Sequence, residues 1–431
     1  MHENIFVLGL DAHNRELLQD LPGSEQYRFH PLLSVEELHY GDNIPVIDLL
    51  NKAQQQLESF DGQVDAIIGF WDFPVSSMVP ILNQQFGRPG CATLEAAVKC
   101  EHKYWSRLEQ QKVIDEYPRF GLVDPDLDEE PPAGVSYPMW VKPVKSFSSG
   151  LAFGVENGEE FRTALAAIRE GIGRIGKPFD DVLAHPDLPP EIGRIGGQVC
   201  LAEERIRGKQ VTLEGYSFRG DVRIYGVVDS VTCEGSPSFL RYQYPSTQPD
   251  EVSDRMADIS RRVIQQVGLD NATFNVEFFW DPVTDTIRLL EVNPRHSQSH
   301  AELFKQVDGV SNHQVMLQLA LGREPEMPLR QGPYPVAAKW FLRRFSDGVV
   351  LRHPTGEEVA QVEQEVSGTT IDILAHEADR LSELIDQDSY SYKIANIYAG
   401  GADEKELTAK FEQCAQLLRF EFYDTSSKAT G

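Results

Sequence analysis

What the sequence is short of narrows its chemistry first. Only five cysteines occur, Cys91, Cys100, Cys200, Cys233 and Cys414. They are odd in number, scattered, and form no C-x-x-C pair, a pattern that fits buried thiols in a reducing compartment and not a disulfide frame or zinc site. Positive charge is also scarce: 40 Lys and Arg stand against 67 Asp and Glu, a net charge of −27. A nucleic acid or an anionic membrane would be repelled, because the phosphate attraction that dominates such binding has the wrong sign. No apolar run approaches the ~18 residues of a membrane span, and Met1-His2-Glu3-Asn4 lacks the basic start of a secretory leader. The expectation is a cytoplasmic protein with neither membrane nor nucleic-acid partner. Any anionic substrate must be held by local Lys and Arg.

A dinucleotide fingerprint in working context is missing too. Ile5–Leu10 and Asp65–Phe70 are short apolar runs that read as buried parallel strands, and the stretches from Arg15, from Val46 and from Pro74 to Phe86 read as helices. Residues 1–100 are thus an open α/β layer, yet neither strand runs into G-x-G-x-x-G. Those letters do occur at Gly171–Gly176, but after a helical segment (Glu159 to Glu170) and before Lys177-Pro178. That is the wrong context for a pyrophosphate. With the near-echo at Glu191–Gly197, residues 171–198 read as a mobile Gly/Pro-rich insertion.

What is present centres on Leu289-Leu290-Glu291-Val292-Asn293-Pro294-Arg295, with Glu277 upstream in Phe274–Phe279. An extended strand puts Glu291, Asn293 and Arg295 on one face, because side chains alternate. Asp281–Asp285 reads as the turn of a hairpin that brings Glu277 beside them. Two carboxylates and an amide oxygen suit Mg²⁺, and the Arg beside them is a fork for an anion. A hairpin with a merely polar outer face is the plainer alternative.

Further basic and small residues lie upstream. Cys100–Leu108 has helical spacing and sets Lys103 and Arg107 one turn apart. Tyr137–Pro143 is a strand carrying Lys142 near its end, and Lys145–Gly150 is a Ser/Gly loop able to offer N–H groups and hydroxyls to phosphate. Val199–Ile206 is a strand, with Gly208 turning into Gln210–Tyr216. Val252, Met256, Ile259, Val263 and Val267 mark a helix that Gly268 stops. Pro325, Pro328, Pro333 and Pro335 crowd a boundary, beyond which a strand-rich unit closes with a helix facing Leu407, Phe411, Cys414 and Leu418 inward. At 431 residues, two or three domains are expected.

Taken in order, these segments resemble the ATP-grasp superfamily. Cys100–Leu108 is similar to its D-K-x-x-x-R helix, Trp140–Pro143 with Ser146–Gly150 to its V-K-P strand and phosphate loop, Ala202–Gly208 to its E-E-x-x-x-G linker, and Glu277 with Glu291–Arg295 to its E…E-x-N-P-R. The resemblance implies an α/β ATP-grasp fold: a pre-domain at 1–100, an ATP-grasp domain at 101–328 with lobes 101–200 and 201–328, and a biotin-carboxylase-like domain at 335–431. It implies ATP held by Lys103, Lys142, Ser146, Ser148, Ser149, Gly150, Glu203, Glu204 and Ile206, and Mg²⁺ (or Mn²⁺) on Glu277, Glu291 and Asn293. Related architectures often dimerise, so the resemblance allows a homodimer and leaves the oligomeric state open.

Two departures matter. Gln210 stands where many members carry a ribose-binding Glu, and is kept as the ribose contact. Arg295-His296-Ser297-Gln298-Ser299-His300 places Ser299 where biotin carboxylase has its bicarbonate-activating Glu in R-x-Q-V-E-H. The resemblance therefore implies an ADP-forming ligase joining a small carboxylate and an amine, as amino-acid and dipeptide ligases do. Lys142 and Arg295 would be catalytic, and His300 (or His296) would take the amine's proton unless both only cap the following helix. A carboxylase, another acyl-phosphate-forming enzyme or a non-catalytic ATP-binding protein are the alternatives.

Overall fold

In the computed structural model of the chain, residues 2–39, 44–88, 90–146, 150–384, 387–388 and 390–424 are described. They fall into two compact units. One comprises Met1–Val227, Gln248–Gln298 and Asn312–Met327; the other comprises Val228–Thr247, Ser299–Ser311 and Pro328–Gly431.

The first unit opens with parallel strands Glu3–Leu8 and Ala66–Ile68, in the register Val7 opposite Ile68. A strand not expected from the sequence, Tyr27–Leu32, pairs parallel on the other side of Glu3–Leu8. Arg28, His30 and Pro31 break up its apolar pattern, which an edge strand tolerates because one side needs no partner. Helix Val46–Glu58 sends Leu49, Ala53 and Leu57, four residues apart, into the core, and helix Val75–Gln85 adds Met78, Ile81 and Leu82.

Residues 171–198 overturn the expectation of a mobile insertion. After helix Gly158–Gly171 they form helices Gly173–Leu183 and Pro190–Ile195. Ile175, Phe179, Val182 and Leu183 make an apolar stripe that packs into the N-terminal core, with Phe179 fully buried. Pro178 forfeits the ladder bond its N–H would make to Arg174, and burial of the stripe outweighs that loss.

Two antiparallel layers complete the unit. Strands Phe120–Val123, Cys200–Glu204, Met139–Pro143 and Phe153–Val155 form a sheet in that spatial order, packed against Phe161, Leu165 and Ile168 of helix Gly158–Gly171. Strands Thr286–Asn293, Ala272–Asp281 and Lys209–Phe218 follow one another in a second layer, beside the first part of Asp221–Thr232. Helix Asp250–Val267 buries Val252, Met256, Ile259, Val263 and Val267 against Leu213, Phe274, Val276 and Phe278 of that layer, and ends at Gly268 with φ 72°.

In the second unit Phe239–Tyr244, Val336–Arg344, Tyr392–Gly401 and Thr369–Ile373 form successive antiparallel pairs. Helix Glu404–Leu417 drives Leu407 and Cys414 into its core, where Trp340 stacks on Phe411 at 4.4 Å. Among the described residues a strand and not the helix comes last: Glu421–Asp424 pairs with Gly348–Arg352. Among the described residues no helix is long and apolar enough to cross a membrane.

Candidate active site

The expected hairpin forms, and its register sets Glu277 opposite Glu291 and Asn275 opposite Asn293. The pairing slips at Leu290, because Leu289 faces Phe278 while Glu291 faces Glu277. This bulge keeps Glu291 and Asn293 beside Glu277 while Ile287, Leu289 and Val292 are buried. Strand Lys209–Phe218 extends the polar face, with Thr212 opposite Glu277 and Glu214 opposite Asn275.

Burial pushes the Glu277 carboxyl well above the usual carboxylate range, and the neighbouring Glu291 charge adds to the push. Burial works the same way on Glu291, but Lys103 and Lys142 outweigh it and hold that carboxyl low. Gln210 Nε2 donates to Glu277 Oε2 at 2.8 Å, so the residue expected at a ribose bonds a carboxylate of the hairpin face. Asn293 Nδ2 donates to Asn275 Oδ1 at 2.8 Å and to Glu277 Oε1 at 3.4 Å. Among the described residues no three His, Cys, Asp or Glu gather as a metal cluster. Two carboxylates and one amide suit a hard cation that takes its other ligands from water and phosphate. A divalent cation fits here because it relieves the repulsion that burdens Glu277.

The helix expected through Cys100–Leu108 is broken. Leu94–Glu101 ends and Lys103–Gln110 begins around His102, whose Nδ1 accepts from Trp105 N at 3.2 Å. Lys103 therefore sits in a first turn, donating to Ser146 O at 2.8 Å and standing 3.6 Å from Glu291 Oε2. Arg107, one turn on, donates through Nε to Glu203 Oε1 at 2.6 Å and through Nη1 and Nη2 to the carbonyls of Leu289 (3.1 Å) and Leu290 (2.6 Å). Lys142 Nζ reaches Glu203 Oε2 at 2.6 Å. Burial alone would raise the Glu203 carboxyl, but Arg107 and Lys142 take it down to about 2. Lys145 pairs with buried Glu101 at 2.9 Å and lies over the rings of Phe73 and Phe179. Ser146 and Gly150 flank the expected phosphate loop; Ser148 and Ser149 lie outside the described residues. Glu204 meets Arg119 at 3.3 Å in an exposed pair, and Ile206 follows the end of strand Cys200–Glu204.

Arg295 is held by a residue the sequence reading did not single out. Its Nε and Nη2 donate to Asp72 Oδ1 and Oδ2 at 3.0 and 2.6 Å. One signal was available, since Asp72 lies just past the carboxyl end of a buried parallel strand, where α/β layers place ligands. Its neighbour His296 is fully buried, with ring contacts to Thr273 Oγ1 (3.3 Å) and His313 (2.9 Å), and His313 reaches Asn14 at 2.9 Å. That relay leaves His296 enclosed. His300 belongs to the second unit, where its ring meets Tyr242 edge-on at 5.0 Å.

Residues 135–301 match the family model described as the ATP-grasp domain. An L-amino acid ligase from Bacillus licheniformis has a similar structure, with a TM-score of 0.71 at 14% identity over 98% of this chain and 99% of that one. So has the biotin carboxylase domain of a 2-oxoglutarate carboxylase from Hydrogenobacter thermophilus, solved with MgADP and bicarbonate: TM-score 0.64, 12% identity, 98% and 91% covered. The carbamoyl phosphate synthase large chain of Paenarthrobacter aurescens is 34% identical over 76 residues, which are 18% of this chain and 7% of that protein.

Proposed function

From the premise of a chain that carries an ATP-grasp domain on an ATP-grasp fold, we propose that the protein is an ADP-forming carboxylate–amine ligase acting on small, amino-acid-like substrates, with 1–100, 101–328 and 335–431 as its working parts. The observation that carries this reading is the meeting, in one unit, of the Glu277–Glu291–Asn293 face, Lys103 at 3.6 Å from Glu291, and the Arg295 fork.

The difficulty such an enzyme faces is to gather anions inside a strongly negative protein. Lys103 and Lys142 present fixed positive charge to the phosphates, the latter oriented by Glu203. Ser146, Gly150, Glu203, Glu204, Ile206 and Gln210 stay in the reading as nucleotide contacts. A bound Mg²⁺ would neutralise phosphate charge and template an in-line transfer. Arg295 holds the substrate carboxylate and then the acyl phosphate, stabilising charge as it develops. The resemblance in sequence is the sole ground for giving the attacking amine's proton to His300, which belongs to the second unit. A bicarbonate-using carboxylase is the second reading, favoured by the shared fold and opposed by Ser299 where the resemblance calls for a Glu.

The test is ADP release from MgATP with a mixture of the proteinogenic L-amino acids. Glu291→Ala should abolish it while circular dichroism is unchanged, and activity near wild type would refute the metal assignment. Dependence on bicarbonate and not on amino acids would decide for the second reading.

A further inference from the structure

Asp72 comes from the N-terminal α/β layer, in the bend that follows strand Ala66–Ile68, and not from the sheet that carries the hairpin's carboxylates. Its two oxygens take the Nε and Nη2 side of Arg295 at 3.0 and 2.6 Å, in a bidentate pair. The two side chains are 29% and 15% exposed. Arg295 Nη1 donates to the His296 carbonyl at 3.1 Å. That peptide is itself anchored, since His296 N donates to Thr273 Oγ1 at 3.1 Å and its ring is locked in the Thr273–His313–Asn14 relay.

A guanidinium has five N–H donors in one plane. Among the described residues three of them are engaged here. The two that remain are one on Nη1 and one on Nη2; with the His296 carbonyl on the inner Nη1 hydrogen, they are the parallel pair at the end farthest from the backbone. Such a pair matches two oxygens of a single carboxylate or phosphoryl group. An arginine whose rotamer is already set loses little further freedom when the anion arrives.

We propose that Asp72 is a positioning residue for anion capture: it presets the Arg295 fork so that its outer end receives the substrate carboxylate and the acyl phosphate made from it. By offsetting the guanidinium charge, it also keeps that anion loosely enough held to react onward. This rests on the ligase reading of Arg295. Lys145, Lys103 and His39 also lie in electrostatic range of Asp72, but Lys145 is paired with Glu101 and Lys103 with Ser146 O and Glu291, so neither lysine substitutes for Arg295.

The experiment is a double-mutant cycle on Asp72→Asn and Arg295→Ala, read by ADP release from MgATP and the amino-acid mixture. Calorimetry with a non-hydrolysable ATP analogue runs alongside. Asp72→Asn should slow ADP release about 100-fold, the order expected when a reacting group is misplaced by ~1 Å, with nucleotide affinity changed less than about twofold. The double variant should be no slower than Arg295→Ala alone, because Asp72 makes its hydrogen bonds to that residue and works through it. Losses that multiply overturn the proposal, as does an active Asp72→Asn beside an inactive Arg295→Ala. If Arg295→Ala is itself active, the ligase reading of Arg295 has failed instead.

A second readout is independent of turnover. The ¹⁵N–¹H signal of Arg295 Nε, assigned by its loss in Arg295→Lys, should show a rotationally restricted guanidinium in the wild type. It should average in Asp72→Asn and stay restricted in Asp72→Glu if the longer carboxylate still reaches. A freely rotating guanidinium in the wild type overturns the proposal.

Discussion

Glu203→Gln should destabilise the first unit by about 3 kcal/mol at neutral pH. Glu203 is 2% exposed, and its two oxygens each receive a cation at 2.6 Å, Arg107 on one and Lys142 on the other. Burial by itself would push this carboxyl up, yet the two cations bring it from the ordinary 4.5 to about 2. At about 1.4 kcal/mol for each tenfold change in proton affinity, that difference is worth ~3 kcal/mol. Breaking a buried pair from one side costs a similar ~3–5 kcal/mol, because the remaining charges are left uncompensated. The folded carboxyl is the stronger acid, so its contribution is fully present above pH ~4.5 and is lost as pH falls through about 2. Urea unfolding should be followed by tryptophan fluorescence, for which Trp140 is well placed because it stands opposite Glu203 across the sheet. The gap between wild type and variant should be constant from pH 7 to about 5 and close steadily below that. A gap under ~1 kcal/mol at pH 7, or one indifferent to acid, would refute the reasoning.

Two further outcomes are expected. Phe179→Ala should cost ~3–5 kcal/mol in thermal or urea unfolding, since it empties a site packed edge-to-face against Phe73 at 5.4 Å; a loss under ~1 kcal/mol would mean that helix Gly173–Leu183 is not docked. Lys339→Met should stabilise the second unit by up to ~4 kcal/mol at pH 7. Burial first, and then Lys393, push the Lys339 amine from 10.5 down to about 7, and Ser299 Oγ at 3.1 Å is its hydrogen-bond partner. Because the folded amine is the weaker base, the penalty is largest at and below pH 7 and disappears towards pH 10.5, so a variant less stable than wild type at pH 7 would refute it.

Much of the site was legible because it is local. Glu291, Asn293 and the turn at Asp281–Asp285 lie within one hairpin, where alternation and turn residues carry the geometry. The stripe from Val252 to Val267 was equally plain. Partners distant in the chain were not: Asp72 and Arg295 are 223 residues apart, and no spacing rule links them. His102 hid the helix break because imidazole is not among the favoured caps. In residues 171–198 the glycines and Pro178 drew more weight than the stripe of Ile175, Phe179, Val182 and Leu183, and packing decided the other way.

The bulge at Leu290 sets a rule of parity for this strand. Ile287 and Leu289 point inward, and so does Val292, an even number after two odd ones. Leu290 is the supernumerary residue that the strand absorbs without sending Glu291 into the core. The backbone there is tied off by Arg107, on the carbonyls of Leu289 and Leu290, and by the Glu116 carbonyl, which receives Leu289 N at 2.7 Å. A lineage could therefore drop Leu290 and keep Glu291 on the same face of the hairpin as Glu277. Losing or gaining one residue between Glu291 and Asn293 would instead turn half of this polar face inside out. Length, and not only identity, is under constraint at this point of the chain.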